Sequence, residues 1–248
     1  MDLILRLTAL SLFSLLLFAS NAYAEKVNVG FEPFPPLINE DGTGYLIDML
    51  NSLTKDSDLT FNFQMMTYAR AKKELKEQRL QLIGFTPKNN ETEKFYQYAE
   101  ELSWIFNTNV DFFSKNKAYF TIENLPTSSI GTLIGNADFF SEITKIPREK
   151  FVEVSSLNQL VKMLDKERIK VILFERISMM TTLKQLNITD IYYQKLANVP
   201  ASLAVSKAEE GQQLKIKLDK LLSSIDNNKF FKDLSQYNQL ANDGILTF

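Results

Sequence analysis

The chain has 248 residues and contains no cysteine and no histidine. Those two zeros exclude thiol nucleophiles, disulfides, thiolate zinc sites, lipidated cysteines and serine–histidine hydrolysis. Twenty-eight Lys+Arg against 30 Asp+Glu leave a net charge of −2, so no overall field draws the chain to nucleic acid or acidic membranes, and 45% apolar with 23% charged residues is globular composition, not disorder.

Residues 1–24 stand apart. MDLILR carries one Arg, LTALSLFSLLLFAS is an apolar run, and NAYA sets Ala22 and Ala24 at the small-residue positions before a cut. That pattern predicts a cleaved signal peptide, because the apolar core is short for a membrane anchor and the ending is A-x-A. The mature chain would be residues 25–248, unanchored for want of a cysteine, and placed in the periplasm of a double-membraned bacterium. Its charge stays at −2, since the leader holds one acid (Asp2) and one base (Arg6).

The remaining chain alternates β-rich runs with helical patterns. KVNVGF (26–31) reads as a strand running into the proline-broken FEPFPP. A GTG turn (42–44) precedes a helix over 45–57, with Leu46, Met49, Leu50 and Leu53 at helical spacing. LTFNFQMM (59–66) alternates as a half-buried strand, 67–78 is a charged amphipathic helix, and LQLIGF (80–85) is a short apolar strand. Residues 96–116 are aromatic and β-prone. Residues 128–143 read strand, glycine turn, helix. A helix capped by serine spans 155–170, KVILFER (170–176) is a buried strand, and ISMMTTLKQL continues as a helix. DIYYQKL and PASLAVSK are two further strands, followed by helices over 212–225 and 229–240. Strands alternating with helices at this spacing predict an α/β fold with mainly parallel sheets.

The order of these segments resembles the amino-acid-type (family 3) periplasmic solute-binding proteins of ABC transporters. The resemblance spans the mature chain. It rests on the aromatic–proline loop Phe31, Pro33, Phe34, Pro35, Pro36, on Gly42–Gly44 before Tyr45-Leu-Ile-Asp48, and on Tyr68-Ala-Arg70-Ala. Ile130-Gly131 with Ile134-Gly135, and Leu157, Leu160, Arg168 and Glu175 in their order, complete it. It implies a two-lobed α/β fold of the periplasmic-binding-protein type, with a ligand cleft and two crossing strands. Lobe 1 would be 25–110 plus 202–248 and lobe 2 would be 111–201, with crossings near Thr108–Phe113 and Val199–Val205. It implies hinge closure, no cofactor, no metal, no catalytic residue, no nucleic-acid partner and a monomer serving an inner-membrane ABC permease.

In such α/β folds ligands sit outside the carboxyl ends of the strands. The candidate ligand-binding residues are Phe31, Phe34, Tyr45, Arg70, Phe85, Thr86, Gly135, Asn136 and Glu175. The aromatic loop either covers an apolar or cationic group or packs on its own lobe. Arg70 reads equally as a carboxylate clamp or an exposed helix arginine. Gly84-Phe85-Thr86 would offer backbone and hydroxyl groups. The arginine that usually follows this loop in the family is absent: its place is Thr92, with Lys94 nearby. Gly135-Asn136 opens a helix whose free N–H groups favour an anion. Glu175 stands where the family often has an acid for the ligand ammonium, or is a surface acid starting a helix. Trp104 reads as core or hinge as readily as a ligand contact.

These residues predict capture of a small polar solute, an amino acid or amine-bearing molecule, for a permease. A sensory or accessory binding protein is the alternative. A periplasmic dehydratase-like enzyme is a third reading, in which Glu175 or Glu32 would be the general acid.

Overall fold

The computed structural model describes residues 24–247. The leader expected over 1–24 lies outside the described residues, save Ala24. Among the described residues no helix is long and apolar enough to cross a membrane.

Strand β1 (Glu25–Phe31) alternates as its sequence demands, with Val27, Val29 and Phe31 all fully buried. It runs parallel to β2 (Leu59–Met65) on one side and β3 (Leu82–Pro87) on the other. Between them lie helices α1 (Tyr45–Leu53) and α2 (Tyr68–Lys76). Gly44 precedes α1 at φ 134°, where a Cβ would stand 2.4 Å from the Leu37 carbonyl oxygen. Only glycine accepts both the angle and the approach. Thr67 caps α2 by accepting from the Arg70 N–H.

The stretch expected as one β-prone run over 96–116 is divided. A short β4 (Ala99–Glu101) and the long β5 (Phe106–Ser114) lie within it, and a one-turn helix α3 (Glu93–Tyr96) leads into it. Beyond β5 come β6 (Ile130–Leu133), α4 (Ala137–Thr144), β7 (Phe151–Val154), α5 (Leu157–Asp165), β8 (Val171–Glu175) and α6 (Arg176–Gln185). Ser156 caps α5, as expected, by accepting from the Gln159 N–H. β6 is parallel to both β7 and β8.

Two strands expected after this are one. β9 (Ile191–Ser206) runs through Pro200 without interruption. Pro200 has no N–H to give, and its carbonyl accepts from the Lys88 N–H. The chain ends with α7 (Glu209–Ser223), α8 (Asn227–Phe231), α9 (Ser235–Asn238) and β10 (Asp243–Leu246). The helix expected over 229–240 is thus broken into short turns.

The sheet order is β2-β1-β3-β9-β5-β8-β6-β7, with β4 and β10 also on β9. It divides into two cores. Val29, Leu46, Leu50, Leu82, Leu203 and Leu218 belong to the first; Ile130, Leu160, Ile172, Phe174, Leu183 and Ile191 belong to the second. A small third cluster, around Tyr68, Leu75, Ile83 and Phe95, covers the other face of the first lobe. β5 and β9 pass antiparallel from one core to the other: Phe106 pairs with Ala201 in the first, and Val110 and Val199 lie in the second. On β5 the change of core therefore falls between Phe106 and Val110.

The tail makes a third passage, one that a first lobe ending at residue 248 does not include. Phe231 and Leu234 pack in the first core, while β10 pairs antiparallel with Ile191–Gln194 and Leu246 lies in the second. The alternation of Ile245 exposed and Leu246 buried is too short to be read as a strand from sequence.

Candidate functional site: an aromatic cleft between the lobes

The carboxyl ends of β1, β3 and β8 converge on the two crossing strands. They line a pocket of about 50 Å³ that is partly open to solvent. Its walls include Phe34 beyond β1, Phe85 and Thr86 of β3, Thr108 and Val110 of β5, Phe139 and Phe140 of α4, Phe174 of β8 and Val199 of β9. Its polar groups are Glu32, Thr86, Thr108, Asn136 and Glu175. Phe34 is the centre of the ring packing. It meets Phe85 edge-on at 5.4 Å and Phe174 at 5.3 Å, so it joins the two lobes. Phe85 also stacks on Phe106 at 5.8 Å, and through it on the Trp104 cluster.

Five of the nine sequence-derived candidates line this cavity: Phe34, Phe85, Thr86, Asn136 and Glu175. Four do not. Phe31 is fully buried in the first core, stacked on Phe63 at 6.0 Å. Tyr45 is half-buried against the same core. Gly135 sits at the rim with φ 99°, packed so closely on α2 that a Cβ would lie 2.7 Å from the Ala69 nitrogen. The Arg70 side chain is 65% exposed and faces Glu74, 3.8 Å away. Thr92 and Lys94 do not replace it: Thr92 caps α3 through the Phe95 N–H, and Lys94 is exposed. Trp104 is a core residue whose indole N–H donates to Asn227.

Glu175 is the N-cap of α6. Its Oε1 accepts from the Ile177 N–H at 2.9 Å and from the Thr108 hydroxyl; its Oε2 accepts from the Ser178 N–H at 2.8 Å and the Ser178 hydroxyl at 2.7 Å. Four donors fill the four lone-pair sites of a carboxylate. Burial pushes its pKa up, and these donors pull the other way.

Glu32 is the acid that spans the lobes. Its Oε1 accepts from the Tyr68 N–H at the start of α2, 3.2 Å away, and its Oε2 from the Asn136 amide of the second lobe, 3.3 Å away. Burial raises its pKa to about 7, against the two hydrogen bonds and the field of Lys72. Beside it Lys72 donates to Glu91 at 3.3 Å and across the gap to the Gly135 carbonyl at 3.1 Å. These contacts, with Gly135 on Ala69, hold the lobes together over the cavity.

Sequence reasoning placed Glu32 only in the enzyme reading, and missed Thr108, Phe139, Phe140 and Phe174 as walls. One signal for α4 was present: consecutive aromatics directly after a helix start whose glycine and asparagine had already been singled out. A second interlobe opening, of about 400 Å³, lies outside the first, between the loop bearing Pro33, Pro35 and Asp41 and the start of α5 at Ser156 and Asn158. It is larger, but the inner cavity is where strand ends of both lobes and the buried acids meet, which is where this topology places a ligand.

The sequence matches no protein-family profile and no curated protein. The fold does match solved structures. One is an ABC uptake transporter substrate-binding protein from Streptococcus pneumoniae with bound histidine: 19% identity over 90% of this chain and 95% of that chain, TM-score 0.67. Another is an ancestral arginine-binding protein bound to arginine: 18% identity over 87% and 99%, TM-score 0.69. A third is the BvgS VFT2 domain of Bordetella pertussis: 13% identity over 89% and 95%, TM-score 0.68. The chain therefore has the two-lobed α/β fold of type II periplasmic binding proteins, with its cavity at the seam between the lobes.

Proposed function

We propose that the protein is exported to the periplasm, captures a small amine-bearing or amino-acid-like solute between its lobes, and presents it to an inner-membrane ABC permease. The observation that carries this reading is the cavity itself. It is built equally by both lobes, at the ends of β1, β3 and β8, and bridged by strands rather than a loose linker. A ligand touching both walls stabilises the closed arrangement by its differential affinity. Likeness to proteins solved with histidine and arginine supports the same use of the fold. Glu175 is not available as the general acid of the enzyme reading, since a carboxylate with four donors has no free site for proton transfer.

The test is a thermal-shift screen of amines, amino acids and other small metabolites on purified protein, followed by small-angle scattering on each hit. A saturable rise in midpoint with a more compact molecule is expected. A broad screen with no shift overturns the reading. A second reading on the same fold is presentation of the ligand to a receptor. Adjacent permease and ATPase genes favour transport; an adjacent sensor kinase favours signalling.

A further inference from the structure

We propose that the cleft selects primary amines with a compact apolar body and no carboxylate, and that Glu32 receives the ammonium. This rests on the reading of the cleft as a ligand site and specifies what enters it.

Three features exclude a carboxylate. None of the residues lining the cavity is lysine or arginine. The cation beside it, Lys72, is spent on Glu91 and the Gly135 carbonyl. The remaining anion receptor would be the amino end of α4, and the protein fills that with its own acid. Glu153 Oε1 accepts from the Gly135 N–H at 2.8 Å and the Ala137 N–H at 3.2 Å, and its other oxygen is held by Arg148 at 2.6 Å. A ligand carboxylate would enter a site walled by phenylalanine, next to two buried acids and without a partner. That desolvation would go unrepaid.

The same features favour an ammonium. Aromatic rings present negative faces to a cation, and the site already holds acid. Glu175 has no acceptor site left, whereas Glu32 accepts two bonds of 3.2 and 3.3 Å and keeps two lone pairs. The charges facing Glu32 are Lys72 from α2 and Glu153 from β7, and they oppose each other. The space of about 50 Å³ holds a few waters at most. A body larger than that displaces the rings around it or the lobes themselves, which favours a compact one.

The test is calorimetric titration of the full mature chain with three probes sharing one ring: 2-phenylethylamine, L-phenylalanine and 3-phenylpropanoate. Histidine, arginine and glutamine serve as a control set. The amine should bind at least 100-fold more tightly than either carboxylate. Its affinity should rise roughly tenfold from pH 6 to pH 8, because Glu32, with its pKa near 7, must be ionised to receive it. Glu32→Gln should weaken the amine at least tenfold and remove that pH dependence, with the ligand-free circular dichroism spectrum unchanged. Equal or tighter binding of L-phenylalanine, or of a control amino acid alone, overturns the amine class and leaves interlobe capture standing. Amine binding indifferent to pH and to Glu32→Gln overturns the role of Glu32. No binding by any probe or control overturns this inference and counts against interlobe capture as well.

Discussion

Glu175 illustrates how one residue type at one position can serve two ends. An acid at the end of a strand that opens a helix is poised for a ligand amine, or for the helix's own N–H groups. Here the helix takes it. Glu175→Ala should therefore act on stability first: loss of the cap and of the Thr108 bond predicts destabilisation by about 2–3 kcal/mol, measured by urea unfolding. Arg70 is the opposite case. Its guanidinium is largely in water and its pairing with Glu74 is a surface one. Arg70→Ala should change stability by less than about 0.5 kcal/mol and leave ligand affinity untouched. Sequence could name both residues but not separate their roles, because the number of donors around a carboxylate and the direction of a long side chain are set by tertiary packing.

Among the elements, the seam between β5 and α6 is the most costly to disturb. Asp111 and Arg176 form a pair with no exposed side-chain surface, at 2.6 and 3.0 Å, just past the β5 bulge. Arg176 also donates to the Tyr237 and Leu240 carbonyls, so one guanidinium ties the crossing strand, α6 and the tail together. Burial pushes the Asp111 pKa up even so, with Arg176 opposing it. Asp111→Ala would leave a buried cation alone and should cost about 3–5 kcal/mol in urea unfolding. Elements with strong periodicity or caps, such as α1, α2 and α5, were legible from spacing, from the Gly42–Gly44 turn and from the serine cap of α5. β9 was not: Pro200 signals a break, yet it falls at the passage between cores, where its carbonyl is satisfied by Lys88. The start of α4 was legible as a glycine turn. That it presses on Ala69 of the other lobe was not, since the contact joins residues far apart in the chain. Gly135→Val should hold the lobes apart, seen as a larger radius of gyration and weaker ligand binding.

For the whole molecule, Glu32 sets a pH dependence. Its pKa rises from 4.5 to about 7 on folding into the closed arrangement. Between those values the native state holds more protons than the unfolded chain, so this residue's contribution is fully present below pH 4.5 and is lost as pH rises through 7. Glu32→Gln should flatten the fall in thermal midpoint over that range; an unchanged slope would assign it elsewhere. The two-lobed plan was legible in segment order, because alternating strands and helices without a loose linker leave strands to join the lobes. The aromatic, cation-free character of the cleft was not, since its walls come from six separate segments.

The third passage of the chain has a practical consequence. The first strand starts in one lobe and the last is sewn into the other, so the two ends of the described chain ride on different bodies. A protein without cysteine accepts a single engineered pair cleanly. Lys26→Cys and Ile245→Cys, both at exposed positions, would carry a donor and an acceptor dye whose energy transfer reports lobe motion directly. The fold is thus wired as a distance gauge, and a change in transfer with added solute would time each closing event on a single molecule.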